Sequence, residues 1–211
     1  MEKYHYIEQL IERYPALAPA KEDIKRAADI LSECYEKGGK ILIAGNGGSA
    51  ADSEHMVGEL MKGFVKPRKV SEKFKQTLLD IDEKNGEVLA DCLQQAVPAI
   101  ALCGHSALST AYLNDVEGKV GFAQQVMGYA TDNDVFFGIS TSGNSQNVVY
   151  AAITAKAKGI GVIALTGETG GKLKDYADVT IKVPGTEPYK VQEYHLPVYH
   201  ALCLELEERY F

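Results

Sequence analysis

The sequence predicts a three-layer α/β sandwich, a five-stranded parallel sheet covered by helices on both faces, and three observations point to it. Short apolar runs recur five times along the chain. They lead into Gly- or Ser-rich segments and then into helical patterns, the arrangement of βαβ units. Strands that alternate with helices in this way form a parallel sheet buried on both faces.

In chain order, apolar positions recur at helical spacing from Ile7 to Glu36 and are interrupted at Pro15 and Pro19, which reads as two helices, Ala20 to Tyr35 being the clearer. Gly38-Gly39 ends the second. The strands are expected at Lys40–Ala44, Ala99–Cys103, Val135–Ile139, Gly161–Leu165 and Val179–Val183. Between the first strand's helix and the second strand lies a long stretch, Met61 to Gln95, rich in Lys, Glu and Asp, which predicts an inserted helix. A last helix, about Tyr189 to Tyr210, carries Pro197 in its interior, where a kink is expected. With no linker, low-complexity tract or internal repeat, the chain reads as one domain over 1–211, with an N-terminal helical extension at 1–38 and an insertion near 61–95.

Composition narrows the function. The chain has 211 residues, 45% hydrophobic and 24% charged, enough for one substantial core. Its net charge of −7 offers no general attraction to nucleic acid or to an anionic membrane, so neither is expected as a direct partner. Cys34, Cys92, Cys103 and Cys203 are scattered, without the close spacing of a disulfide framework or a zinc ribbon. They read as reduced thiols. The N-terminal MEKYHYIEQL lacks an apolar core, and no run approaches the roughly 18 apolar residues of a membrane span. The expected location is the cytoplasm.

In open parallel sheets, ligands sit beyond the carboxyl ends of the strands. The first such loop is Gly45-Asn46-Gly47-Gly48-Ser49-Ala50-Ala51-Asp52, a glycine-dense turn opening a helix. Glycines let the backbone approach a ligand, and a helix N-terminus presents free N–H groups. It lacks the Gly-Lys-Ser/Thr of a phosphate-binding P-loop and is not a complete GxGxxG. The loop after Ile139, Ser140-Thr141-Ser142-Gly143-Asn144-Ser145, places four hydroxyls and a glycine before a helix, and so could cradle a phosphate without a lysine. A simple N-cap needs one such hydroxyl, not four. On the first loop's helix, His55 and Glu59 are spaced i,i+4 and share a face. Taken alone that is an ordinary hydrogen-bonded pair. On the last helix, Gln192 and His200 are eight apart, about 80° around the axis, with His195 near the same side. A carboxylate and an acid at one site suit aldose–ketose isomerisation, in which a proton leaves carbon beside a carbonyl and the enediolate oxygen needs stabilising. The same His55, Glu59, Gln192 and His200 could instead, or also, hold a divalent metal.

These motifs, together with Leu113-Asn114-Asp115, Phe122 to Val126 and the pattern from Gln192 to His200, resemble the SIS (sugar isomerase) domain proteins, nearest the phosphoheptose isomerases. The resemblance spans nearly the whole chain. It implies a flavodoxin-like three-layer fold and interconversion of sedoheptulose 7-phosphate, or a related ketose phosphate, with an aldose phosphate through an enediol. It makes Ser140, Thr141, Ser142 and Ser145 the phosphate site, with Asn46, Gly47, Gly48, Ser49, Asn114, Asp115 and Gln192 lining the rest. It makes His55, Glu59, Gln192 and His200 ligands of zinc or another divalent metal, Glu59 the general base and His200 the acid. It also implies a homotetramer, or a homodimer, with active sites between subunits. Two features depart from the family: Tyr189-Lys190-Val191 stands where relatives commonly carry Asp-Arg-Ile, and the 61–95 stretch is longer than usual.

Two other readings are compatible with the same fold. One is a non-catalytic SIS tetramer that binds a partner such as the replication initiator. The other is a sugar-phosphate-sensing regulator, which usually carries a DNA-binding module; the N-terminal helices are too short and too weakly basic to supply one.

Overall fold

The computed structural model describes residues 3–211. Five strands form one sheet: β1 (Ile41–Ala44), β2 (Ala99–Ala101), β3 (Val135–Ser140), β4 (Gly161–Thr166) and β5 (Val179–Lys182). All pairings are parallel and the order is β2-β1-β3-β4-β5. After β1 the chain moves outward to β2, then returns past β1 to lay down β3 on its other side. The order therefore reverses between β1 and β3, and a crevice opens at their carboxyl ends. β2 is shorter than its apolar run, because Leu102–Gly104 tightens into a 3₁₀ turn.

The strands bury both faces. Ile41, Ile43, Phe137, Ile139, Ile163 and Leu165 pack on one side against α1 (His5–Arg13), α2 (Lys21–Glu36), α3 (Gly48–Met61) and α9 (Pro188–Tyr210). Leu42, Ala44, Phe136, Val162 and Ala164 face the other side, against α7 (Gly121–Tyr129) and α8 (Gln146–Ala157). Each buried Ile, Leu, Val or Phe among them contributes roughly 1.5–3 kcal/mol, so the core can accommodate polar groups that find partners. Glu205 is one of them: its carboxylate accepts from the Tyr6 and Ile7 amides at 2.7 and 3.2 Å, satisfying free N–H groups at the start of α1. Pro15 opens a 3₁₀ segment, Pro15–Ala20, that separates α1 from α2. α9 is continuous through Pro197, although that residue has no N–H for the helical ladder.

The insertion differs from expectation. It forms two helices, α4 (Glu72–Ile81) and α5 (Glu83–Cys92), in place of one. Asp82 breaks them apart: its backbone is extended and its side chain caps α5 by accepting from the Asn85 amide. Gly86 lets the pair close, since a Cβ there would lie 2.4 Å from the Leu78 carbonyl oxygen. The hairpin packs chiefly on itself. Its base is closed by an antiparallel bridge between Lys69 and Gln94 and by the Gln95 amide donating to the Arg68 carbonyl at 2.7 Å. The remaining helix, α6 (Ser106–Asp115), follows β2.

Candidate active site

The loop after β3 is held by its own polar groups. Ser140 is buried, and its hydroxyl donates to the Ser145 hydroxyl at 3.0 Å. The Ser142 hydroxyl accepts from the Asn144 amide at 3.1 Å, and the Thr141 carbonyl accepts from the Gly167 amide at 2.9 Å. Gly143 has φ +65°, and a Cβ there would lie 2.1 Å from the Gly170 carbonyl oxygen, so only glycine fits. Ser145 occupies the N-cap position of α8 but makes no side-chain cap bond. The loop is therefore not a plain cap: it leaves hydroxyls and helix N–H groups together beyond the end of β3, as anion binding requires.

The glycine loop lies across the β1/β3 crevice. Gly47 is the N-cap of α3 with φ 56° and no capping side chain. Asn46 and Asn147 exchange two side-chain amide hydrogen bonds, at 2.9 and 2.8 Å, which tie this loop to the first turn of α8. Gln192 joins the same group. Its amide rests on Gly48, where a Cβ would meet Gln192 Nε2 at 2.4 Å. Asn46, Gly47 and Gly48 are exposed, whereas Ser49 is only 4% exposed, turned beneath the loop.

A second group forms where α3 and α9 lie side by side. His55 Nε2 stands 3.3 Å from Glu59 Oε1, and Lys62 Nζ donates to Glu59 Oε2 at 2.8 Å. The His55 and His200 rings meet edge to face with centroids 5.0 Å apart. Burial, helped by neighbouring His55 and opposed by Glu59, lowers the His200 pKa and favours the neutral imidazole. Its Nε2 is buried without a hydrogen-bond partner. The Tyr199 hydroxyl reaches His55 Nδ1 at 3.0 Å and donates to Asp52 Oδ1 at 3.3 Å. Burial raises the pKa of both Tyr199 and Asp52. A groove of about 380 Å³ opens on the far side of His200, between α1 and α9, and is lined there by Phe64, Glu193 and Arg13.

The two groups are separate within one chain. Glu59 lies eleven residues from Gly48, about 16 Å along a straight helix, and Gln192 lies about 12 Å along α9 from His200. The expected metal quartet is thus divided: His55, Glu59 and His200 are neighbours, and Gln192 stands with the glycine loop. Two imidazoles and a carboxylate are donors that suit zinc, and the unpartnered His200 nitrogen is a buried donor a cation could satisfy. As they stand, no three His, Cys, Asp or Glu side chains among the described residues are arranged to hold an ion. Asn114 and Asp115 are also apart: both are exposed at the end of α6, where the Asn114 amide donates to Asp115 at 2.7 Å. Tyr189 is 61% exposed on the first turn of α9.

A sequence profile described as "SIS domain" matches residues 5–80 and 83–167. The chain belongs to the SIS domain family. Within it, this SIS protein is 36% identical over 188 residues to the phosphoheptose isomerase of Aneurinibacillus thermoaerophilus, covering 89% of this chain and 82% of the relative. It is 34% identical to that of a Nitratiruptor species, over 98% of both chains. Among solved structures, it resembles the phosphoheptose isomerase of Francisella tularensis with a TM-score of 0.76 at 29% identity, covering 96% of this chain and 95% of that one. For the enzyme from Neisseria gonorrhoeae the TM-score is 0.71 at 30% identity, with 95% and 98% covered. The expected parallel α/β fold and family are both borne out.

The SIS motifs located the loops and the His/Glu face. They did not indicate Tyr199, Lys62 or Asn147 and gave Asp52 only as the last residue of the glycine loop; the partners of Tyr199 and Asn147 lie on other elements. Two local signals were available: Asp52 lies three residues before His55, and Lys62 three residues after Glu59.

Proposed function

We propose that this SIS protein is an aldose–ketose isomerase acting on a phosphorylated sugar, with sedoheptulose 7-phosphate as the first candidate substrate. The observation that carries the reading is the meeting of Glu59, His55 and His200 from two helices, in a fold whose ligand crevice bears an uncharged anion cradle. The relatives, phosphoheptose isomerases, support the same chemistry. Glu59, flanked by Lys62, takes the proton from the carbon beside the carbonyl and returns it to the adjacent carbon. His200, neutral in its buried setting, moves a proton between the two enediol oxygens. Ser140, Thr141, Ser142 and Ser145 hold the phosphate, so that binding energy from the unreactive end orients the reacting end.

The separation of the two groups along α3 supports an active site shared between copies, in which the cradle of one chain faces the Glu59 cluster of another, and hence a homotetramer or homodimer. Asn114 and Asp115, exposed and unused in the single chain, are then available to a neighbouring copy. Gln192 lies with the glycine loop, and His55, Glu59 and His200 are the residues of one chain that would hold zinc or another divalent metal. Bound there, such an ion would polarise the substrate carbonyl as a Lewis acid.

The test is isotope exchange. Purified protein incubated in D₂O with sedoheptulose 7-phosphate, and with pentose and hexose phosphates, should wash out the C1 or C2 proton of one of them. Glu59→Gln should slow this by about 10²–10⁴-fold. Exchange with no substrate in the panel, or undiminished exchange in Glu59→Gln, sinks the reading. Metal analysis of unchelated protein, repeated on His55→Ala, tests the ion independently of activity.

A further inference from the structure

We infer that Arg68 and Glu207 are positioning residues for Glu59, forming a buried tie that sets α3 against α9. The inference rests on the reading of Glu59 as the base. α3 ends at Met61 with its last carbonyls free, as every helix end does. Arg68, arriving from the base of the insertion, supplies the donors: its guanidinium donates to the Leu60 carbonyl at 2.7 Å and to the Glu59 carbonyl at 3.2 Å. Its Nε donates to Glu207 Oε1 on α9 at 2.8 Å. The Glu207 carboxylate also accepts from the amides of Phe64, Val65 and Lys66, at 2.7, 2.8 and 3.1 Å. These bonds hold its pKa below the usual carboxylate range despite burial.

Both charged side chains are withdrawn from water, Arg68 to 0% and Glu207 to 1% exposure. A buried ion pair contributes little net stability compared with apolar side chains of similar volume. What this one supplies is direction. Its bonds stop α3 at a fixed point along α9 and curl the segment between Met61 and Arg68 back over the cluster. That segment carries two residues touching the proposed chemistry: Lys62 on the Glu59 carboxylate, and Phe64, whose ring meets His200 edge to face at 5.3 Å. Releasing the tie frees the end of α3 on which Glu59 sits, and a displacement of about 1 Å at a reacting group can cost about 10²-fold in rate.

The experiment compares Arg68→Lys, Glu207→Gln and the apolar double variant Arg68→Met/Glu207→Leu in the full-length chain, with Glu59→Gln alongside. Lysine lacks the planar fork that reaches two carbonyls and a carboxylate together. The expected result is a 10–100-fold fall in kcat with KM changed less than about twofold, in variants shown by near-UV circular dichroism to be folded at the assay temperature. The double variant strips the partners from three amides and two carbonyls, so its melting temperature should fall; loss of kcat with KM held, read below that temperature in folded protein, separates positioning from stability. Wild-type kcat in a folded double variant overturns the inference, and should that variant not fold, wild-type kcat in Arg68→Lys and Glu207→Gln does so. An active Glu59→Gln overturns the reading of the base instead.

Discussion

The Tyr199 hydroxyl stands between His55 Nδ1 and Asp52 Oδ1, 3.0 Å from the first and 3.3 Å from the second. The tyrosine ring itself is wholly buried. A side chain of α9 thereby fixes the rotation of the His55 ring on α3 and turns its other nitrogen toward Glu59. Tyr199→Phe keeps the packing and removes the bond. Losing an orienting hydrogen bond of this kind typically costs 10–100-fold in metal affinity or activity. On the proposed metal site, chelator competition should show zinc held at least about tenfold more weakly by Tyr199→Phe, while its unfolding free energy falls by only about 1 kcal/mol.

Ser145 offers a hydroxyl that does not cap its helix and bonds only Ser140 in the loop. If it grips the unreactive phosphate, its loss weakens ground state and transition state alike. Ser145→Ala should raise KM by about tenfold or more and leave kcat within about twofold, as read from initial-rate kinetics on the best sugar phosphate in the exchange panel.

His195 is fully buried on α9, with neither ring nitrogen bonded. Burial lowers its pKa from 6.5 to about 4. The unfolded chain therefore binds more protons than the folded one as pH falls from about 6.5 toward 4. Stability present above that window is lost within it, by up to roughly 3 kcal/mol. His200 shifts in the same direction and adds to the loss. Denaturant unfolding at pH 7.5 and 5.0 should show the decline, and His195→Leu should show a shallower one.

The α4–α5 hairpin touches the body mainly at its base and leaves Phe74, Ile81, Val88, Leu89 and Leu93 exposed. Replacing residues 70–93 by a short Gly-Ser turn between the paired Lys69 and Gln94 should leave the sheet and both cores intact. The melting temperature is expected to fall by no more than about 4 °C, corresponding to roughly 1 kcal/mol in a chain of this size. A larger fall, or loss of cooperativity, would show that the hairpin belongs to the folding unit.

All five strands were legible because residues buried on both faces of a sheet have to be apolar in consecutive runs, as Phe136-Phe137 and Ile163 to Leu165 are. The edges were less so. Cys103 belongs to a 3₁₀ turn that apolarity does not distinguish from a strand, and Asp82 splits the insertion through backbone geometry that a charge-rich pattern conceals. In the site, the i,i+4 spacing of His55 and Glu59 encoded their meeting directly. Gln192 shares a helix face with His200, but a face specifies an angle around the axis and not a position along it, and the side chain stands on Gly48. Arg68 and Glu207, 139 residues apart, meet only through the packing of α9 on α3.

The loop from Ser140 to Ser145 contains no charged side chain. Attraction between opposite charges fades as salt screens it, over about 8 Å at physiological ionic strength. Hydrogen bonds made at contact by fixed hydroxyls and amides do not depend on reach in that way. A grip of this kind recognises an anion by the count and direction of its oxygens, so it distinguishes a tetrahedral headgroup from a planar carboxylate better than a lone lysine could. Beyond contact distance the loop's side chains carry no formal charge to attract a passing polyanion.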